Sequence, residues 1–328
     1  MARFRLLPDE QQARSPLLLL WREFARQHSA MSGLVLFILF FLLALLSPLL
    51  TPHDPYLQND TLLLIAPSWS EQGLVQYPFG TDDLGRDMFS RMLVGARYTF
   101  GIALITVVGA LLIGLLLGVL AGMSKGVKSS ALNHVLDLAL TIPSLLLAII
   151  IVAILGPGLI NTLWAIMLAL LPQFVHSIRN AIAEQLNQDY VTAYRLDGAS
   201  NWQVLTRIIL PNIWERLTVT ATMALSTAIL DIAALGFLGL GAQAPTAEWG
   251  AIIADSLDLI YVAPAGVALP GLLIFTAVLS VNLVGDGLRE LRVRVAREYH
   301  QVVRDQQGHG QHRVRGSLCS GNRRSPRA

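Results

Sequence analysis

The sequence is poor in charge, in cysteine and in aromatic residues. Only 14% of its 328 residues are Asp, Glu, Lys or Arg, against roughly 25% in an average soluble domain. Hydrophobic residues make up 54% of the chain, and mean hydropathy is +0.56. A soluble chain of this length lacks the charged surface to cover so much apolar side chain, so a bilayer is the expected solvent. A single cysteine, Cys319, excludes an internal disulfide framework and any multi-cysteine metal site. No Gly-x-x-x-x-Gly-Lys-Ser/Thr phosphate loop occurs, so no such loop cradles a nucleotide. No secretory signal peptide is expected, because the first apolar run starts near Gly33, behind a long polar leader and without a small-residue cleavage site within it.

Six apolar stretches approach the roughly 20 residues that a bilayer core requires. They are Ala30–Leu50, the glycine-rich Tyr98–Met123, Val135–Leu155 with Asp137 at its start, Leu159–Val175, Leu217–Gly241 with Asp231 inside, and Val262–Gly285. The expected fold is an all-α integral membrane protein with six transmembrane helices. Lys and Arg decide its orientation. Arg3, Arg5, Arg14, Arg22 and Arg26 precede the first span, Lys125 and Lys128 follow the second, and Arg179, Arg195, Arg207 and Arg216 follow the fourth. Further arginines run from Arg289 onward. The Gly156-Pro157-Gly158 turn and the stretch from Ala242 to Tyr261 carry no Lys or Arg, and acids outnumber arginines between Thr51 and Arg97. Both termini are therefore expected in the cytoplasm. Basic ends on such a chain read as membrane flanks; no module for nucleic acid accompanies them.

The expected organisation is a cytoplasmic segment over 1–29, a first helix and outer loop over 30–96, a helical core over 97–290 and a cytoplasmic tail over 291–328. The outer loop, with Pro52, Pro55, Pro67 and Pro78, is too long for a simple connection and is expected to pack on the mouth of a pathway. The tail beyond about Tyr299 is rich in Gly, Arg, Ser, Gln and His and reads as disordered.

Between the fourth and fifth spans lies a polar stretch, Asn187 to Pro211. Two short helices around Gly198 would put Tyr190, Ala193 and Tyr194 on one face, with Gly198 allowing a reversal and Pro211 ending the second helix. Such a small-residue turn suits a cleft on a partner, and equally suits a solvated connector. The spacing here resembles the cytoplasmic loop of binding-protein-dependent ABC importer permeases: Glu-Ala-Ala, three residues, Gly, nine residues, Ile, any residue, Leu-Pro. Thr192-Ala193-Tyr194, Gly198, Ile208 and Leu210-Pro211 fall in that register without a gap. Thr192 replaces the acidic residue and Tyr194 the second alanine, departures that favour the peptide-transporting branch. The resemblance implies a coupling segment seated on a separate ATPase, with Ala199 beside its glycine.

A second segment, Phe79 to Arg97, contains Gly80, Thr81, Asp82, Asp83, Gly85, Arg86, Asp87 and Arg91. Thr81 or Asp82 can cap a helix start. Asp83, Arg86, Asp87 and Arg91 are spaced for ion pairs on an amphipathic helix lying at the outer interface, with direct contact to a substrate as the alternative reading. The string resembles the signature that precedes the core of the second, C-type permease of dipeptide and oligopeptide systems. A third match, Ala228 to Gly250, contains Gly236, Gly239 and Gly241, which permit close helix contact, and an outer turn from Pro245 to Trp249. Asp231 within it is costly in lipid and is expected to face the bundle as a hydrogen-bond anchor. Asn282 and Asp286 close the last span.

The resemblance runs from about Trp21 to Arg289, and Leu132–Asp137, Arg195–Ser200 and Leu259–Pro264 look most like the Sap-type branch. It implies a type I ABC importer permease fold, with five core helices and one N-terminal helix, in the bacterial inner membrane. The partners implied are a homologous second permease, two ATP-binding subunits, a periplasmic substrate-binding protein and membrane lipid. No catalytic residue, metal or cofactor is expected. Transport of peptides follows from the branch, with putrescine as the alternative cargo. An ion-coupled secondary transporter using Asp137, Asp231 and Asp286 is a further alternative, against which stands the lack of an internal repeat. A membrane scaffold or receptor working through its outer loop is the third class.

Overall fold

A computed structural model describes residues 16–124, 134 and 136–291. Arg3, Arg5, Arg14, Lys125, Lys128, Leu132, the expected third-span start at Val135 and the tail read as disordered lie outside those residues. The regular structure among the described residues is helical, with one isolated bridge, Thr81 to Asp87, and no strand. Helix α1 is Pro16–Ala25, α2 His28–Leu50, α3 Met88–Met123, α4 Ser144–Leu155, α5 Leu159–Leu186, α6 Asp189–Leu196, α7 Asn201–Phe237, α8 Trp249–Ser256 and α9 Ala265–Leu291. Five of these, α2, α3, α5, α7 and α9, are long and apolar enough to span a membrane, and α4 is apolar but only 12 residues long.

Helices α3 and α5 make the most extensive contact in the bundle. Small residues allow it: a Cβ on Gly114 would stand 2.6 Å from Phe174 Cβ, and one on Gly118 2.7 Å from Ile178 Cβ. Without a hydrophobic driving force between helices in lipid, backbone approach of this kind is what dispersion contacts depend on. Polar pairs add crosslinks inside the bundle. Ser144 Oγ donates to Asp231 at 3.0 Å, joining α4 to α7, and Ser226 Oγ donates to Asn282 at 2.7 Å, joining α7 to α9.

Several expected boundaries change. The third stretch is broken: residues 136–140 are helical, the chain turns at 141–143, and α4 begins at Ser144. Pro143 has no N–H to give and drives Ile142 out of helical conformation. The second span begins ten residues before Tyr98, because the signature helix runs into it through a π turn at Arg97–Gly101. The fourth extends beyond Val175 to Leu186, keeping Ile178, Ala181 and Ile182 buried on one face. Pro211 ends nothing. A π turn at Leu205–Ile209 precedes it, and Leu210 N–H reaches back to Leu205 O. The wider turn absorbs the irregularity that the proline imposes, so one helix runs from Asn201 to Phe237.

Candidate functional site

Two groups of side chains stand at opposite ends of the bundle. At one end the loop 51–87 folds onto α3 and α8. Gly80 and Gly85 take positive φ, +76° and +71°, where a side chain would be strained. The Thr81 hydroxyl accepts from Ile65 N at 2.9 Å and donates to the Leu62 carbonyl. Asp82 accepts from Arg86 Nε at 2.6 Å and from the backbone N–H groups of Leu84 and Arg86. Its Oδ2 also lies 3.5 Å from Arg91 Nε. Asp83 is exposed, 3.9 Å from Arg86.

Neither Thr81 nor Asp82 caps the helix. The N-cap is Asp87, which accepts from Phe89 N, Ser90 N and Ser90 Oγ and pairs with His53 Nδ1 at 3.2 Å. The outer-interface helix is also corrected: Met88, Ser90, Arg91 and Met92 are buried in protein. The cause lies in residues the local pattern did not join to it. Asp255 on α8 meets Arg91 at 3.4 Å and Arg86 at 3.8 Å. Trp249 Nε1 donates to Met92 O at 3.0 Å, and the fully buried Glu248 accepts from Thr99 Oγ1 at 2.7 Å. Glu248 caps α8 through Ala251 N and rests against Gly236, where a Cβ would come within 2.0 Å of its Oε2. Burial raises the Glu248 carboxyl above its ordinary value, against the hydrogen bonds it accepts. Burial also raises that of Asp255, offset in part by Arg91 and Arg86. Gly236 is thus a close-approach glycine, whereas Gly239, at φ +72°, terminates α7. His53, Thr99 and Asp255 carry no local signal; Glu248, as an acid just before Trp249, is a readable N-cap.

At the other end α6 and α7 form an elbow. Asp197 N and Gly198 N turn back onto Ala193 O and Arg195 O, Gly198 adopts φ +87°, and Ser200 with Gln203 makes a capping box that starts α7. Tyr190, Ala193, Tyr194 and Ile208 line one open hollow of about 530 Å³, together with Asp197 and Arg207. Thr192, Gly198 and Pro211 are exposed, and Ala199 and Leu210 are half-buried. Leu196 is 84% and Trp202 71% exposed. The elbow is tied to α5 by Glu184–Arg216 at 3.0 Å.

The intramembrane polar residues do not form one site. Asp231 is buried and bonded to Ser144. Asp137 is exposed and lies 3.4 Å from His176 Nδ1, Asn282 bonds Ser226, and Asp286 lies 3.8 Å from Arg289 in the open. Among the described residues no group of His, Cys, Asp and Glu is placed to hold a metal.

A family model described as the binding-protein-dependent transport system inner membrane component matches residues 114–294, more than half of the chain. The chain belongs to this family. A second model, the N-terminal TM domain of oligopeptide transport permease C, matches residues 15–67. The chain is 50% identical over 269 residues to the peptide transport system permease protein SapC of Salmonella typhimurium, covering 82% of this chain and 91% of that protein. It is 48% identical over 276 residues to the di/tripeptide transport system permease protein DppC of Pseudomonas aeruginosa, covering 84% and 91%. The solved MetNI methionine ABC transporter, in an inward-facing conformation, superposes with a TM-score of 0.53 at 20% identity over 63% of this chain and 97% of that one. That likeness shows the shared fold, the type I importer permease.

As a binding-protein-dependent inner membrane component, the chain is a multi-pass permease subunit and not an enzyme; ATP hydrolysis belongs to a separate subunit. Transporters of this family work with a partner permease, ATPases and a substrate-binding protein. Ion-driven secondary transport and a non-transporting scaffold both give way to this membership.

Proposed function

We propose that this chain forms half of the pathway of an ATP-driven importer of peptides, pairing with one homologous permease and moving cargo by alternating access. The α6–α7 elbow is the seat for one of two ATPase subunits. Both termini and the elbow face the cytoplasm, α4 with residues 136–140 makes the sixth crossing, and the loop 51–87 meets the binding protein outside. The observation that carries this reading is the elbow itself. A short helix reverses on a left-handed glycine and leaves aromatic and small side chains around an unfilled hollow, beyond the apolar part of the bundle. A surface that exposes Leu196, Trp202 and Trp214 outside lipid is built for a partner. ATP-driven closure transmits force only if the ATPases contact the elbow differently in the two states. Peptide as cargo is supported by the names of the relatives.

The deciding experiment is uptake of labelled tripeptide against labelled putrescine in a strain lacking this subunit. Peptide uptake restored by the gene, with putrescine uptake unchanged, is the expected result. Restoration of putrescine uptake alone would replace the cargo while leaving the architecture intact.

A further inference from the structure

The ionic cluster at the loop end is satisfied unevenly. Asp82 holds Arg86 at 2.6 Å and also takes two backbone N–H groups. Asp255 is seated poorly by comparison. Its Oδ2 lies 3.4 Å from Arg91 Nη2 and 3.8 Å from Arg86 Nη2, the latter shared with the exposed Asp83 at 3.9 Å, and its side chain is 52% exposed. Arg91 is 2% exposed; its Nε stands 3.5 Å from Asp82 Oδ2 without making a hydrogen bond, and its Nη1 has no hydrogen-bond partner. Donors left unmade in a buried guanidinium are costly, so the site is incomplete as it stands. Asp255 also walls two cavities, one of about 600 Å³ beside the outer loop and one of about 190 Å³ lined by both arginines. Gly236 and Gly239 put no side chains into the smaller one.

Resting on the reading that the cargo is peptide, we infer that Arg86 and Arg91 form a recognition subsite for the free C-terminal carboxylate of that peptide, which displaces Asp255. Two guanidiniums converging on one position offer the planar fork that a carboxylate accepts in bidentate fashion. Their burial removes competing water. The exchange leaves no buried charge unpaired: Asp82 keeps Arg86, the exposed Asp83 stays at its edge, and the incoming monoanion takes over the pairing that Asp255 gives up as it moves toward solvent. The exposed edge of Asp255 lets it swing toward the larger cavity as the incoming carboxylate takes its place.

The test is ATP-driven uptake of tri-alanine and tri-alanine amide by the complete transporter with its binding protein in proteoliposomes. Because the binding protein is the same throughout, its own preference cancels when the acid-to-amide ratio of a variant is divided by that of wild type. Arg86→Lys keeps the charge and loses the fork; it is expected to lower that ratio about tenfold, the scale of a charge-assisted hydrogen bond. Asp255→Asn removes the competing carboxylate from a half-exposed position and is expected to raise it. A purely structural cluster predicts that both substrates fall together in both variants, and an unchanged ratio overturns the inference. If the wild type takes up neither compound, the peptide reading itself fails. Should the binding protein refuse the amide, the melting temperature of the solubilised complex supplies the same contrast by ligand linkage. Tri-alanine should raise it in wild type and Asp255→Asn but not in Arg86→Lys, and equal shifts with acid and amide sink the assignment.

Discussion

The two ends of this molecule each carry a signature stretch of sequence and use them in opposite ways. At the loop end, the signature around Asp82, Arg86, Asp87 and Arg91 turns inward, and most of its polar groups are paired within the chain, with donors of Arg91 the exception. At the elbow, Tyr190, Leu196 and Trp202 turn outward, and little in the chain covers them. Charge buried with its partner fixes geometry; apolar surface left open outside a bilayer selects a neighbour. The first region is a brace between α3 and α8. The second is a joint.

If that contrast is right, substitutions at the elbow should remove function without stability, whereas those at Asp82 and Gly236 in the brace should show first as lost stability. The largest effect is expected from Gly198→Pro. Proline cannot adopt the φ of +87° that the elbow requires, so uptake should be abolished while the subunit remains in the membrane fraction. Normal uptake with unchanged ATP hydrolysis would dismiss the elbow as the coupling element. At the brace, Asp82→Ala strands a buried Arg86 and should cost about 3–5 kcal/mol, read from thermal unfolding of the purified complex. A cost below about 1 kcal/mol, the range of surface pairs, would show the cluster to be wetter than its burial indicates. Gly236→Ala forces a methyl against Glu248 and should cost about 1–3 kcal/mol by overpacking; unchanged melting would mean that α8 is free to shift.

Smaller again is a pH slope from Glu248. Its folded pKa is raised above the ordinary value of 4.5 by burial, so the native state holds the proton more tightly than the unfolded chain. The stability it contributes is therefore full below pH 4.5 and lost as pH rises through the folded value. Wild type should gain melting temperature over Glu248→Gln as pH is lowered toward 4.5, and a difference that stays flat would exclude this titration. The smallest effect belongs to Leu196→Ala, expected to change stability by no more than about 0.5 kcal/mol while reducing recovery of the ATPase with the permease. Loss of stability instead would place Leu196 in a contact within this chain.

Legibility differed between the same two regions. The elbow was readable because its determinants are local: a glycine at a reversal and Tyr190, Ala193 and Tyr194 three and four residues apart all lie within 25 residues of chain. Even there Pro211 misled, since a proline rule for regular helices does not anticipate the π turn that precedes it. The brace was readable only in part. Its spacing showed that ion pairs were available, but the contacts that bury it reach far along the chain, Thr99 to Glu248 spanning 149 residues and Arg91 to Asp255 164.

By itself the sequence determined what depends on neighbours along the chain or on totals: the apolar solvent, the helical runs, the charge asymmetry between loops and the register of the elbow. Hydrophobic burial and backbone propensity act over a few turns, and composition needs no contacts at all. Only the tertiary structure decided that α3 continues through a π turn into its span, that α4 is a separate short helix, and that Arg86 and Arg91 meet a carboxylate from α8. Those outcomes depend on which helices approach closely enough for glycine to matter and for buried charge to find its opposite. That is a property of the packed bundle and of no single segment.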